Sequence, residues 1–164
     1  MALLLADCLT EILENLENDK TALASCLLVN RLWCKISVRI LWRDIWSFKC
    51  SSDKKLSQMR LAILSTLVAC LPNESKELLH ENEIFISTPT SKPPLFDYAA
   101  FCRVLSVDDI SQMVNHAFEN NSPIASLVLK EIIKMFVDQI HSLKKLTYEL
   151  GRRGVPHIGV LDTI

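Results

Sequence analysis

Residues 25–42, SCLLVNRLWCKISVRILW, decide how the first part of this chain folds. Trp33, Ile36, Ile40 and Leu41 recur at the spacing of one helical face, while Arg31, Lys35, Arg39 and Arg43 recur every fourth residue along another. The stretch therefore predicts an amphipathic helix with an apolar stripe inside and its bases in solvent. Trp42 and Trp46 follow at its exit, where a large ring closes a small core while its indole N–H finds a partner.

Working upstream, Leu9, Ile12, Leu13 and Leu16 fall at i, i+3, i+4 and i+7, with Glu11, Glu14 and Asn15 on the other side. That pattern predicts a helix from Asp7 to Leu16. The polar break ENDK follows, and Asp19 is placed to cap a second helix through Leu23, Leu27 and Leu28 by accepting from free backbone N–H groups. Three short helices thus form a compact head over residues 1–48.

Downstream, SFKCSSDKK is polar enough for a connector, and residues 56–71 place Leu56, Met59, Ile63, Leu67 and Leu71 on one side and Leu61, Leu64 and Val68 on another. This helix is expected to be buried on more than one face and to stop at Pro72, with a further short helix in NESKELLHEN. STPTSKPP, residues 87–94, is a loop, because its prolines hold it extended. FDYAAFCRVL reads as helical, and Ser106 with Asp109 makes a capping-box-like start for Ile110, Met113, Val114 and Ala117. Ser122 and Pro123 open the last helix, whose expected core stripe is Leu129, Ile133, Phe136, Val137 and Ile140. The fold class expected is all-α: the three-helix head, a helical region over 53–146 and an irregular tail over 147–164.

Composition narrows the function classes. The chain has 164 residues, 49% of them hydrophobic, and a formal charge of -1, so no global pull toward nucleic acid or anionic lipid exists. MALLLADCLTEIL lacks a basic leading region and meets Asp7 and Glu11 early, which argues against a secretory signal. LAILSTLVACLP, the longest uncharged apolar run, is well short of the roughly 20 residues that cross a bilayer. The six cysteines (Cys8, Cys26, Cys34, Cys50, Cys70, Cys102) form no CxxC pair and read as reduced core residues.

With three glycines, Gly151, Gly154 and Gly159, neither a phosphate-cradling loop nor a dinucleotide fingerprint is built in the usual way. HENEI at His80 begins like a zinc-protease motif, but Ile84 stands where the second histidine belongs. His116, His141 and His157 are scattered, Asp138 and His141 make only a surface-type i, i+3 pair, and no serine sits in a nucleophile elbow. No catalytic residue, metal or cofactor is expected, and the chain is read as a non-enzyme.

A three-helix unit of this size is too small to hide all of Leu4, Leu5, Leu9, Ile12, Leu13, Leu16, Leu27, Leu28, Trp33, Ile40 and Trp42. Part of that surface is expected to be shared with another body. Each Leu or Ile transferred from water into an interface is worth roughly 1.5–3 kcal/mol before ordering costs.

DCLTEILENL, a polar break, LASCLLVNRLW and a closing RILW together resemble the F-box family over roughly the first 46 residues. The most specific part is CLLVNRLWCKISVRILW, which resembles the family's valine–x–x–x–tryptophan core at Val29 to Trp33, with the second tryptophan at Trp42. One departure is Leu5 after Leu4, where the family usually has proline; a leucine there either weakens docking or adds apolar contact. The resemblance implies a substrate-adaptor subunit of an SCF-type ubiquitin ligase, in which the head binds a Skp-type adaptor and through it a cullin–RING ligase. It implies contacts from Leu4, Leu5, Leu9, Ile12, Leu13, Leu16, Leu28 and Val29, with Trp33, Ile36, Ile40 and Trp42 holding the head together, and a cytoplasmic or nuclear protein.

The rival class is a helix-turn-helix-like head that enters DNA with its basic third helix. Against it, residues 1–49 carry six bases (Lys20, Arg31, Lys35, Arg39, Arg43, Lys49) and six acids (Asp7, Glu11, Glu14, Glu17, Asp19, Asp44), a neutral balance unlike that of a DNA reader. HSLKKLTYEL, with Leu143, Leu146 and Tyr148, resembles the start of one leucine-rich repeat, the kind of reader F-box proteins often carry. A single fragment implies a short or truncated reader for an unnamed protein substrate, since a solenoid needs about three repeats to bury its core.

Overall fold

The computed structural model describes residues 2–48, 53–86, 93–118, 123–140 and 143–148, with side chains from residue 6 onward. It divides into two compact units between Phe48 and Lys49. Among the described residues the chain is predominantly helical, in keeping with the all-α expectation, with two three-residue strands that the sequence did not announce.

In the first unit, α1 (Ala2–Glu14), α2 (Lys20–Cys26) and α3 (Arg31–Leu41) are followed by a 3-10 segment, Trp42–Ser47. The expected cap on α2 forms: Asp19 Oδ1 accepts from Ala22 N–H at 2.9 Å. α3 has a stronger cap that periodicity did not point to, because Asn30 Oδ1 accepts from both Leu32 and Trp33 N–H at 3.0 Å. Packing of α3 on α1 and α2 encloses Leu9, Leu13, Leu23, Cys26, Val38, Ile40, Leu41, Trp42 and Ile45.

In the second unit, α4 (Asp53–Cys70) buries Ile63, Leu64, Leu67 and Val68, so it is covered on adjacent faces as its sequence predicts, although Leu61 is exposed. Pro72 separates it from α5 (Asn73–Glu81). The expected helix in FDYAAFCRVL is mostly absent. Only Tyr98–Phe101 is helical (α6), and Val104–Ser106 is a strand, β1. β-branched Val104 and the cap at Ser106 explain the break: Ser106 Oγ accepts from Asp109 N–H at 3.2 Å and donates to the Asp109 carboxylate, so α7 (Val107–Ala117) starts immediately after the strand.

α8 (Pro123–Gln139) buries Ala125, Val128, Ile132, Met135 and Phe136; of the expected Leu129, Ile133, Phe136, Val137 and Ile140 stripe only Phe136 is buried. Leu129, Ile133 and Ile140 are half-buried and Val137 is exposed. Ser126, Lys130, Lys134 and Asp138, all exposed, recur every fourth residue and mark the outer face, and the inner face lies opposite them rather than along the expected stripe. A polar contact helps to set it: Glu131, itself buried, accepts from the buried Ser75 hydroxyl of α5 at 2.6 Å.

Lys145–Thr147 forms β2, which lies parallel to β1 with Val104 opposite Lys145, Leu105 opposite Leu146 and Ser106 opposite Thr147. A parallel pair needs a long crossover, here supplied by α7 and α8. The fragment read as the start of a repeat is thus paired with an earlier segment of the same unit, and Thr147, assigned to an irregular tail, belongs to a strand. Residues 149–164 and most of the 87–94 loop lie outside the described residues. Among the described residues no helix is long and apolar enough to cross a membrane.

Candidate functional site

The eight expected contact residues separate sharply. Leu13 is wholly buried and Leu9 nearly so; both point into the head and are part of its core. Leu16 is half-buried in the turn after α1. Ile12, Leu28 and Val29 are exposed, at 59%, 89% and 56%. Leu4 and Leu5 lie on α1, but their side chains fall outside the described residues.

Ile12 shares its spacing with Leu9, Leu13 and Leu16, yet it sits outside because the helix buries only the narrower Leu9–Leu13 stripe. One turn before it, Cys8 is also exposed, which corrects its reading as a core thiol; Cys26 and Cys102 are buried, and Cys34 and Cys70 are half-buried. Cys50 lies outside the described residues.

Leu28 and Val29 owe their exposure to the tight turn between α2 and α3. There Leu28 N–H donates to Ser25 O at 3.1 Å and Val29 N–H to Cys26 O at 3.3 Å, so the backbone is satisfied while the side chains stand in solvent. Asn30 then starts α3, and Leu32 on its first turn is a further exposed apolar residue that the sequence reading did not select. Its signal was available: Leu32 follows Val29 by three and Leu28 by four. These three residues form a local apolar knuckle, edged by exposed Arg31 and Lys35.

Of the expected head core, Ile40 and Trp42 are buried, whereas Trp33 and Ile36 are only half-buried. The deeper positions of α3 are Ser37, Val38 and Leu41, which rotates the inner face away from Trp33. Arg43 leaves the ladder of solvent-side bases, since it donates to Glu14 Oε1 at 2.7 Å and lies 3.6 Å from Glu17.

Among the described residues the groups that suggested chemistry are not assembled into a site; His141, His157 and the three glycines lie outside the described residues. His80 is exposed and stacks edge-on against Phe85, with ring centroids 5.4 Å apart. Burial pushes the Cys70 thiol above its ordinary value, with the Asp97 carboxylate adding to the shift and a backbone hydrogen bond at Tyr98 and the Lys76 ammonium opposing it. A thiol held protonated is a poor nucleophile. Among the described residues no three His, Cys, Asp or Glu side chains stand close enough to hold a metal ion. No protein-family model, curated protein or solved structure matches the chain.

Proposed function

We propose that the chain is a non-catalytic substrate-adaptor subunit of an SCF-type ubiquitin ligase whose head docks a Skp-type adaptor, with the second unit as a short substrate reader. The observation that carries this reading is the apolar surface left open on a well-capped three-helix head: Ile12, Leu28, Val29 and Leu32 are exposed although the unit has a closed core of its own. Seating Leu28 and Val29 alone in a partner's groove is worth about 3–6 kcal/mol before ordering costs. The F-box resemblance supplies the identity of that partner, since its most specific block, residues 26–42, spans the knuckle and α3. The DNA-reading alternative is weakened because Arg43 is engaged by Glu14 and Glu17.

The test is co-expression of the full chain with a Skp adaptor, followed by size-exclusion chromatography of the wild type and of a Leu28→Asp, Val29→Asp double variant. Both substitutions are at exposed positions, so the variant is expected to keep its circular dichroism and lose the one-to-one complex. A wild-type chain that elutes alone while folded overturns the adaptor reading. Salt-dependent binding to duplex DNA in the same preparation would favour the nucleic-acid alternative.

A further inference from the structure

The two short strands bring three cations to one end of a small sheet. Arg103 O accepts from both Lys144 N–H, at 2.7 Å, and Lys145 N–H, at 3.1 Å, immediately before the Val104–Lys145 pair. Arg103, Lys144 and Lys145 therefore originate side by side at the start of β1 and β2. Lys144 and Lys145 are exposed and Arg103 is half-buried. Among the described residues no carboxylate pairs with any of them. On the β1 side Asp97 caps α6 by accepting from Ala100 N–H, and Asp109 is held by Ser106 at the far end of β1.

The same ladder sets which backbone groups remain open. Lys145 turns its N–H toward β1, and Thr147 Oγ1 reaches Leu105 O at 3.4 Å on that side. Alternation along a parallel strand then directs the N–H and C=O of Leu146 to the opposite edge. Among the described residues the sheet has no third strand, so that edge of β2 is a template for an added one. Lysines on an exposed edge oppose pairing with another positively charged edge, including that of a second copy, and favour a strand that carries carboxylates.

We propose that the outer edge of β2 is a docking edge for an extended acidic peptide. Leu146 would supply the central main-chain pair, and Lys144, Lys145 and Arg103 would receive the peptide's carboxylates. The proposal rests on the second unit alone and stands whether or not the head binds a Skp adaptor.

The experiment is fluorescence anisotropy of the full chain with a labelled peptide of alternating Glu and Val, repeated with the same peptide N-methylated at alternate backbone positions. Binding is expected for the plain peptide, weaker at higher salt, and reduced roughly tenfold or more by a Lys144→Glu, Lys145→Glu double variant. N-methylation leaves only one edge of the peptide able to pair, without touching the protein, and is expected to weaken binding. The head variant Leu28→Asp, Val29→Asp is expected to bind the peptide like the wild type. Absence of binding at low salt overturns the proposal. So does equal affinity for the plain and the N-methylated peptide, which would mean a charge patch without strand addition, or displacement of the peptide by a single-stranded oligonucleotide at lower concentration than by unlabelled peptide.

Discussion

Arg43 donates to Glu14 across 2.7 Å, joining residues 29 positions apart and tying the turn after α3 to the end of α1. The guanidinium is mostly enclosed and the carboxylate is 41% exposed, so solvent screens the pair and its ionic part is worth at most about 1 kcal/mol. The stem of Arg43 adds packing that Coulomb energy does not count. Arg43→Met, which keeps much of the stem, is expected to cost less than Arg43→Ala in urea unfolding, and only the ionic share is expected to shrink with added salt. Equal losses for the two variants would mean that the stem contributes nothing.

Neighbouring positions on α1 are expected to behave in opposite ways. Leu13 is wholly enclosed, so Leu13→Ala should destabilise the head by about 2–5 kcal/mol through lost transfer energy and the cavity left behind. Ile12 is 59% exposed, and Ile12→Ala should move stability by about 0.5 kcal/mol or less. Chemical denaturation of the two single variants checks this directly, and comparable losses would mean that α1 is turned about its axis relative to the arrangement described.

Asn30 bonds two of the free N–H groups at the start of α3. Asn30→Ala is expected to cost about 1 kcal/mol, and Asn30→Asp to retain most of the cap, because a carboxylate at a helix N-terminus accepts the same bonds and meets the favourable end of the dipole. Thermal melts of both variants decide it; a full loss in the aspartate variant would rule out the capping role. A second consequence concerns docking, since Asn30 fixes how the Leu28–Val29 knuckle leads into α3, and its loss should weaken any partner that binds there.

How much of this was legible in the sequence depended on whether one pattern had one solution. Asp19 stood alone in a polar break before an apolar run, so its cap was readable, and Pro72 marked the end of α4. Asn30 sits inside an apolar block, where periodicity does not mark it, although the same chemistry acts there. On α8 the exposed Ser126, Lys130, Lys134 and Asp138 recur every fourth residue, so the outer face was legible; what no local window contains is the Ser75–Glu131 bond, between residues 56 apart, which gives a carboxylate on the buried side its partner. β1 and β2 are three residues each and exist through pairing with one another, so neither announces itself alone. For the candidate site, Leu28 and Val29 came from the family resemblance and proved to be exposed, while Leu9 and Leu13 followed from periodicity that core and interface residues share.

Ser37 is wholly buried on α3, and its hydroxyl oxygen has no hydrogen-bond partner among the described residues. Burying an unpaired hydroxyl costs about 1–3 kcal/mol in protein mutational data. Alanine fills nearly the same space without that polar group and has the better helix propensity. Ser37→Ala is therefore expected to raise the unfolding midpoint, by the equivalent of about 0.5–1.5 kcal/mol. A drop in the midpoint would reveal a partner for the hydroxyl in solution.

Glu83 takes φ of 59° in the turn that ends α5, a left-handed conformation that a Cβ disfavours. The turn is held by Glu83 N–H donating to His80 O at 3.0 Å and Ile84 N–H to Leu79 O at 2.9 Å, a pattern that closes the helix end and delivers Ile84 into the core. Glycine takes this conformation without the steric penalty, at the expense of more freedom in the unfolded chain. The steric relief is the larger effect where φ is positive, so Glu83→Gly is expected to stabilise the second unit by about 0.5–1 kcal/mol, and a β-branched Glu83→Val to destabilise it. Urea titration followed by circular dichroism resolves both signs. Should valine be tolerated as well as glycine, the left-handed turn is not maintained in solution, and Ile84 must reach the core by another backbone path.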